Sequence, residues 1–170
     1  RMQIKVYSGR EGLSQYVFST SEDQDGNLWF LTDIGVKIMN KVTHTFDFFR
    51  PANMPMGQIS SLYADKDHNF LMGTGNGSIL KYDVKTKTFE TLVSSETAAR
   101  AIEVAGPNYI YTITEDSKGN IWATTSNRGV YKYNYVNKKF SAFNTGNGLS
   151  VNKIKTIFED KEGNILFGTA

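Results

Sequence analysis

One short segment occurs four times along the chain in altered form. The clearest copy runs from Glu115 to Thr125, with the sequence EDSKGNIWATT. Each copy has an aspartate at or near its start, and these aspartates are Asp23, Asp65, Asp116 and Asp160. Successive aspartates are separated by 42, 51 and 44 residues. A recurrence of this length indicates an array of similar structural units rather than one irregular core.

The centre of each copy has the composition of a tight turn. An aspartate side chain accepts hydrogen bonds from nearby backbone N–H groups, and a glycine three residues later adopts positive φ at no steric cost. The second copy has His68 in the glycine position, where His tolerates positive φ at about 1 kcal/mol. The residues assigned to these turns are Asp23, Gly26, Asp65, Asp116, Gly119, Asp160 and Gly163.

Short β-rich runs lie on both sides of each turn, and two further strands follow. Four antiparallel strands per repeat, with this period, predict β-propeller blades. The fold class is therefore all-β, a β-propeller fragment of about three and a half four-stranded antiparallel blades. The predicted segments are 1–12 as the last strand of a preceding blade, 13–55, 57–106 and 107–147 as complete blades, and 148–170 as the first half of a blade.

The long 51-residue step contains an insertion at residues 94–106. Ser94 as a cap, Glu96 in the first turn and several alanines favour a short helix; the alternative is that residues 101–104 extend the preceding strand. In propeller geometry this connection lies on the same face as the loops between second and third strands, opposite the Asp-Gly turns. Extra loop length on one face is typical of a binding face.

Fifteen predicted strands leave two open edges. Propellers remove such edges by closing into a ring, and an unpaired edge promotes association. Two arrangements satisfy this requirement. The polypeptide continues on both sides, which is the favoured interpretation, or two copies complete each other as a homodimer.

Composition restricts the classes of partner. The 170 residues include 19 basic and 17 acidic side chains, so nucleic-acid binding is not expected. No apolar run is long enough to span a bilayer, so no membrane contact is expected in this segment. Cysteine is absent, which excludes disulfides and thiol chemistry. No cofactor and no metal site is expected, because the D-x-D-G-N segment at residues 23–27 lacks the later ligands of a calcium loop.

The third repeat, Ile110 to Phe140, resembles the two-component-regulator propeller repeat. The shared pattern is V-x-x-I-x-E-D-x-x-G-N-I-W, then Thr, a glycine loop, V-Y-K-Y-N and a Phe. The chain departs from it at Leu71 and Leu166, which replace Trp, and at Ala64 and His68. The resemblance implies a periplasmic sensor region, anchored through the rest of its chain to the inner membrane, of a hybrid sensor histidine kinase and response regulator that detects glycan breakdown products.

Three classes of function follow. The first is the non-catalytic sensor that the resemblance implies, with an oligosaccharide ligand and a kinase elsewhere in the full-length chain. The second is an interaction or assembly propeller with no small-molecule ligand. The third is a propeller enzyme, which needs paired carboxylates. Inward of the turn, the first strands carry Ser, Thr and Tyr and no acid, which argues against catalysis in this region.

Polar and aromatic residues in the loops of the presumed binding face are the candidate ligand-binding set, because a saccharide needs amide and guanidinium donors beside an aromatic platform. The alternative for each asparagine is a purely local role in a turn. The candidates are Arg50, Asn53, Asn76, Arg100, Asn108, Tyr109, Asn127, Arg128, Asn144 and Asn147.

Two sets of residues near the turns have a structural and a functional interpretation. Glu22, Glu115 and Glu159 each precede or flank a turn aspartate and are interpreted as solvated flanks of the hairpin rather than as acid–base groups. Trp29 and Trp122 lie between apolar neighbours and are interpreted as core between blades rather than as platforms for sugars.

Histidines and a tyrosine run complete the candidates. His44 and His68 fall in turns without a third ligand nearby, which argues against a metal or catalytic role. Tyr131, Tyr133 and Tyr135 alternate along a strand, and we expect one face of this set in the core and the other exposed.

Overall fold

A computed structural model describes residues 6–55, 57–101 and 108–169 of the chain. It contains fourteen described strands and one α-helix in this part of the chain. The strands are β1 (Val17–Glu22), β2 (Leu28–Thr32), β3 (Gly35–Met39), β4 (Phe46–Phe48), β5 (Ile59–Ala64), β6 (Phe70–Thr74), β7 (Ile79–Asp83), β8 (Thr88–Val93), β9 (Ile110–Glu115), β10 (Asn120–Thr125), β11 (Val130–Asn134), β12 (Lys139–Phe143), β13 (Ile154–Glu159) and β14 (Ile165–Thr169), and the helix α1 is Ser95–Ala101.

The strands form three four-stranded antiparallel sheets and one two-stranded sheet, each in chain order. We call them blade one (β1–β4), blade two (β5–β8), blade three (β9–β12) and the half-blade (β13–β14). The first strands of successive blades are neighbours, since the Ser19 hydroxyl donates to the carbonyl of Leu62 at 3.4 Å and the Ser60 hydroxyl to that of Ile110 at 2.8 Å. This arrangement confirms the prediction of an all-β propeller fragment of three and a half blades.

The helix predicted in the insertion is present. The backbone N–H of Thr97 donates to the hydroxyl of Ser94 at 3.1 Å, which caps α1, and Ala98 is fully buried against blades two and three. The alternative strand at residues 101–104 lies mostly outside the described residues. The predicted strand at residues 3–7 does so too, and Gly9–Glu11 form a short 3-10 helix.

Apolar side chains pack between successive blades. Trp29 projects from β2 into a cluster with Phe70 and Tyr82 of blade two. Trp122 occupies the same position in β10, where it packs against Phe167 of the half-blade. The interpretation of both tryptophans as core between blades is therefore confirmed.

The tyrosine run of β11 differs from the expectation of one buried and one exposed face. Tyr131 and Tyr133 are both buried, and Tyr135, which follows the strand, is half-buried. The physical reason is that residues two apart along a strand lie on the same face of the sheet. All three therefore face the boundary with blade two, where they join its core.

Candidate functional site

The Asp turns are structural, and Asp116 shows how. Its Oδ1 accepts hydrogen bonds from the backbone N–H groups of Lys118 and Asn120 at 3.0 and 2.7 Å. Its Oδ2 accepts from the Asn120 side chain and from the Trp122 indole, both at 2.8 Å. Burial opposes ionisation, but these donors hold the pKa of the Asp116 carboxyl below its ordinary value. Asp23 binds Trp29 in the same way at 2.9 Å.

Blade two uses a different partner for its turn aspartate. Leu71 stands where the tryptophan would be, and the Nζ of Lys81, paired with Leu71 across the sheet, lies 2.8 Å from Oδ2 of Asp65. His68 takes the turn glycine's place with φ of 58°, as predicted. The turn geometry thus survives two departures from the repeat because a cation replaces the indole donor.

The glutamates beside the turns are not only solvated flanks, which corrects the sequence interpretation. The carboxylate of Glu159 accepts hydrogen bonds from the backbone N–H and hydroxyl of Ser117, in the preceding blade's turn, at 2.7 and 2.6 Å. Glu115 likewise accepts from the backbone N–H of Lys66, at 3.4 Å. The reason is geometric: first strands are neighbours, so Glu115 and Glu159 each lie next to the turn of the preceding blade. We call this contact the glutamate bridge.

The opposite face carries the loops in which the sequence places the candidate ligand-binding residues. The backbone N–H of Gly75 donates to the carbonyl of Gln58 at 2.8 Å, and that of Ser126 donates to the carbonyl of Tyr109 at 2.9 Å. The loop between second and third strands therefore lies against the segment that leads into the first strand. These bonds confirm that both kinds of loop share one face, which we call the loop face.

A groove opens on the loop face where the first strands of the three blades begin. It encloses about 500 Å³. Its lining includes three exposed aromatic side chains and several polar groups, namely Phe18, Tyr109, Tyr111, Asp33, Gln58 and Ser60. Phe18 is 67% exposed, and Tyr109 and Tyr111 are each 46% exposed. We call it the axial groove, and its combination of flat rings and polar groups is what a saccharide or a peptide needs.

The ten candidate residues separate into three groups, of which the first lies near the groove. Tyr109 lines it, and its neighbour Asn108 is buried. Arg128 is buried too, next to Tyr131. These three are the only candidates in the described residues that the structure brings together around the start of β9.

The asparagines of the second group have local partners. Asn76 Oδ1 accepts from the hydroxyl groups of Thr74 and Ser78 at 2.5 and 3.1 Å. Asn144 and Asn147 bond within one turn, where the N–H of Asn144 donates to Oδ1 of Asn147 at 2.6 Å. These contacts match the alternative of a role in turns.

The third group consists of surface residues away from the groove lining. Arg50 stacks on the ring of Phe48, and Arg100 pairs with Glu96 at 2.5 Å within α1. Asn53 and Asn127 are exposed in loops. None of these four lines the axial groove as the structure describes it.

Sequence reasoning missed five of the six lining residues named above, which are Phe18, Asp33, Gln58, Ser60 and Tyr111. Phe18, Ser60 and Tyr111 all follow the first apolar residue of a first strand, and all three line the axial groove. The sequence signal was the repeat alignment itself, because the corresponding position is Lys155 in the half-blade, whose Nζ lies 4.5 Å from the Tyr111 ring centroid. This position, whose residue type changes from blade to blade while its neighbours stay similar, lies in the wall of the axial groove in the three blades.

A second polar feature lies below the loop face. Asn108 donates from Nδ2 to the Tyr131 hydroxyl at 2.9 Å, and that hydroxyl donates to the carbonyl of Ala98 in α1 at 3.5 Å. Burial raises the pKa of Tyr131, against the smaller opposing effects of Asn108 and Arg128. We call Asn108, Arg128 and Tyr131 the buried polar cluster.

The described part of the chain contains neither a candidate metal site nor a candidate membrane-spanning helix. No group of three or more His, Asp or Glu side chains there is placed to hold a metal ion. No helix there is long and apolar enough to cross a membrane.

The fold and the axial groove together define an array of β-propeller blades with a candidate ligand-binding face. The model of the two component regulator propeller family matches residues 11–33, 106–127 and 148–170. The unmatched repeat is the one in blade two, where Ala64, His68 and Leu71 depart from the pattern. No curated protein matches the chain.

Several solved structures have a similar fold and align with most of the chain. The extracellular domain of BT4673 from B. thetaiotaomicron, described as part of a one component system, is 23% identical with a TM-score of 0.71, over 94% of this chain and 21% of its own. The extracellular domain of BT3049 from the same organism, described as part of a hybrid two component system, is 23% identical with a TM-score of 0.69, over 94% and 20%. A catalytically inactive virginiamycin B lyase from Staphylococcus aureus is 14% identical with a TM-score of 0.62, over 89% and 48%. The chain thus spans about a fifth of the length of the first two structures.

Proposed function

We propose that this chain is part of a non-catalytic, extracytoplasmic sensor that binds an oligosaccharide fragment in the axial groove. In the full-length protein, binding changes how neighbouring parts of the sensor are placed and so regulates a histidine kinase across the inner membrane. The observation that carries the proposal is the axial groove, with Phe18, Tyr109 and Tyr111 exposed beside Gln58 and Ser60. Exposed rings offer stacking surfaces to the apolar faces of sugar rings, and the polar groups bond hydroxyls.

The comparisons support the sensory part of this proposal. Three segments of the chain match the model of a family named for two-component regulators, and BT3049 is described as a hybrid two component system with an extracellular domain of this fold. The groove chemistry supports the non-catalytic part, since Asp33 is the one carboxylate in its described lining and glycoside hydrolysis uses a pair.

The test is a binding screen of the purified protein against neutral oligosaccharide fragments, read by isothermal titration calorimetry. We expect Tyr109→Ala and Tyr111→Ala each to weaken a binding fragment by about tenfold, which corresponds to the loss of one stacking platform. Phe48→Ala is the matched control, because Phe48 is a partly exposed ring on the outer strand β4, away from the groove. Equal effects of all three variants would contradict the proposed site.

The protein-interaction alternative has its own expected result. If no fragment binds, but a protein partner binds and both Tyr109→Ala and Tyr111→Ala weaken its binding, the axial groove is an interaction surface and not a sugar site. Chromatography of each fragment after incubation also tests the absence of catalysis, since a sensor leaves its ligand intact.

A further inference from the structure

The charge of the axial groove comes from one side chain. Asp33 is the single charged residue among the described lining residues, and the rest of that lining is aromatic, aliphatic or neutral polar. Asp33 is exposed, in the short loop between β2 and β3. No basic side chain of the described residues forms an ion pair with it, whereas Asp65, Glu90, Glu96 and Glu115 each have one. The groove is therefore an aromatic cavity with one negative charge that no described cation neutralises.

The loop that carries this carboxylate does not need it to form. The backbone N–H of Ile34 donates to the Thr32 hydroxyl at 3.3 Å, and that hydroxyl donates to the carbonyl of Gly35 at 2.6 Å. Thr32 therefore closes the turn. The residue after the corresponding threonine is Gly75 in blade two and Ser126 in blade three, and both are uncharged. The aspartate is thus a feature of blade one and not of the repeat.

One contact from outside the loop holds the carboxylate in place. The hydroxyl of Ser14 donates to Oδ1 of Asp33. The other oxygen, Oδ2, accepts no hydrogen bond from the residues that the structure describes. Each carboxylate oxygen can accept hydrogen bonds, so Oδ2 is available to a donor on a ligand. Ser14 orients the carboxylate and leaves this acceptor free.

Phe18 brings an aromatic ring to the same corner of the groove. Asp33 and Phe18 each lie one residue from the cross-strand pair of Val17 with Thr32, and both line the groove. The register of β1 shifts at this point, between Val17 and Ser19. The Phe18 side chain is 67% exposed. A ring face attracts a cation, and a carboxylate beside it adds to that attraction.

The blade-three side of the groove disfavours a cation. The Nζ atom of Lys155 lies 4.5 Å from the centroid of the Tyr111 ring. This ring already attracts an ammonium group of the chain, and a second ammonium there would be repelled by the first. The corner formed by Asp33 and Phe18 is therefore where a positively charged group of a ligand fits.

We propose that Asp33 and Phe18 bind the protonated amine of a saccharide fragment, so that the ligand class is amino sugars with a free amine. The ammonium group donates to Oδ2 of Asp33 and faces the Phe18 ring, while neutral parts of the fragment stack on Tyr109 and Tyr111. An acetylated amine has no charge to offer, and Asp33 repels an acidic sugar. The inference rests on the proposed function for the saccharide nature of the ligand, and it adds the requirement for a positive charge.

Calorimetry with three trisaccharides tests the proposal. The β-1,4-linked trimers of glucosamine, N-acetylglucosamine and glucose differ only in the group at C2, and at about pH 6 an aliphatic amine is protonated. We expect the glucosamine trimer to bind about fivefold more tightly than the other two, and Asp33→Asn to remove this preference. Asp47→Asn is the matched control, because Asp47 is an exposed carboxylate on β4 and does not line the groove. Equal affinities for the three trimers, or an undiminished preference in Asp33→Asn, would overturn the proposal.

Phe18→Leu gives a second test, through the ring instead of the carboxylate. It keeps apolar bulk and removes the ring face, so we expect the preference for the glucosamine trimer over the glucose trimer to fall about twofold. Tyr111→Leu is the matched control, since Lys155 already lies at that ring. It should weaken all three trimers alike and leave their ratios unchanged. An equal loss of preference in both variants would show that the amine does not lie at the corner of Asp33 and Phe18.

The outcomes separate this inference from the proposed function. Tyr111-dependent binding of the glucose trimer, with no preference for the glucosamine trimer, would overturn the amine site alone. Asp33-dependent binding of triglycine amide, with no trisaccharide bound at millimolar concentration, would overturn the saccharide nature of the ligand and with it both proposals. A preference that depends on Asp33 and Phe18, and not on Asp47, is the result that supports the amine site.

Discussion

The boundary between blades one and two differs from the boundary between blade three and the half-blade. At the first, Trp29 packs 4.2 Å from the Phe70 ring and 4.7 Å from the Phe49 ring, but Ala64 provides no carboxylate for a glutamate bridge. At the second, the rings nearest Trp122 are 5.9 and 6.0 Å away, and Glu159 forms the bridge to the turn of blade three. One boundary is rich in aromatic packing, and the other has a stronger polar contact.

This difference shows that a blade boundary has two separable parts. The apolar part lies in the middle of the second strands, where a tryptophan meets the next blade. The polar part lies at the turn face, where a glutamate meets the preceding turn. Blades two and three have weaker versions of both, since Leu71 replaces the tryptophan and the bridge from Glu115 is 3.4 Å long.

Removing Trp29 has the largest expected effect. Trp29→Ala deletes a buried ring from the aromatic cluster and leaves Asp23 without its indole donor, so we expect a loss of about 3–5 kcal/mol in the free energy of unfolding. Trp122→Ala should cost less, because its ring contacts are longer. Urea unfolding followed by circular dichroism measures both.

Trp29→Phe is the control that separates packing from hydrogen bonding. It keeps most of the aromatic contact and removes the indole N–H, so we expect a cost of about 1–2 kcal/mol. A cost of Trp122→Ala equal to or above that of Trp29→Ala would break the comparison of the two boundaries.

The part of the fold that could be predicted from the sequence is the part that repeats. The Asp turns, the strand pairs around them and the burial of Trp29 and Trp122 follow from residue types at fixed spacing, and the helix α1 follows from its cap and its alanines. These features are local, so a single stretch of sequence contains their cause. His68 with positive φ belongs to the same class.

The contacts between blades could not be predicted in the same way. Glu159 meets Ser117 across 42 residues of sequence, and nothing near Glu159 indicates that partner. The axial groove was missed at Phe18, Gln58, Ser60 and Tyr111 for the same reason, because it forms only when three blades are placed side by side. Tyr109 was the one candidate in its lining that the sequence identified.

Lys81→Met has the second largest expected effect. It leaves the buried Asp65 carboxylate without its cationic partner, so we expect a loss of about 1–3 kcal/mol. Lys132→Met is the matched change in blade three, where the Nζ atom lies 4.9 Å from the Trp122 ring and no carboxylate is involved. It should cost about 0.5–1 kcal/mol.

A double variant checks the reason for that difference. Asp65→Asn with Lys81→Met removes the charge that Lys81 neutralises, so it should recover part of the stability lost in Lys81→Met. Equal costs for Lys81→Met and Lys132→Met in urea unfolding would show that Lys81 does not replace the indole as the partner of Asp65.

The glutamate bridge predicts that removing a glutamate at one blade boundary lowers the stability of the protein. It also predicts that adding a glutamate at another boundary raises it. Glu159→Ala should cost about 1 kcal/mol, since it removes the acceptor for Ser117, whereas Glu115→Ala should cost less because its bond is longer. Ala64→Glu should stabilise the protein by some tenths of a kcal/mol, as it supplies blade two with the carboxylate that it lacks. A destabilised Ala64→Glu variant would show that the aromatic boundary excludes the bridge.

The smallest expected effect is on the pH dependence of stability. It isolates the contribution of the Trp122 indole to the Asp116 turn. Burial opposes the charge of Asp116, but hydrogen bonds from Trp122 and Asn120 outweigh it and lower the pKa of Asp116 from an ordinary value of 3.8. At Asp160, where Leu166 replaces the tryptophan, the Asn164 side chain is the first cause of the lowered pKa. A carboxyl with a lowered folded pKa stabilises the fold above its unfolded pKa, and this contribution is lost as pH falls through the folded pKa. Stability at the blade-three turn should therefore begin to fall below about pH 4.

Trp122→Phe should move this loss to higher pH, because the Asp116 carboxylate then keeps only the donors of Lys118 and Asn120, like Asp160 with its own turn. The measurement is the pKa of Asp116, read from its side-chain carboxyl carbon by NMR across an acid titration. Asp160 is the internal reference in the same spectra, since no indole contacts it and its pKa should not move. An unchanged pKa of Asp116 in Trp122→Phe would mean that the indole contributes packing at the blade boundary but does not stabilise the charged form of the turn aspartate.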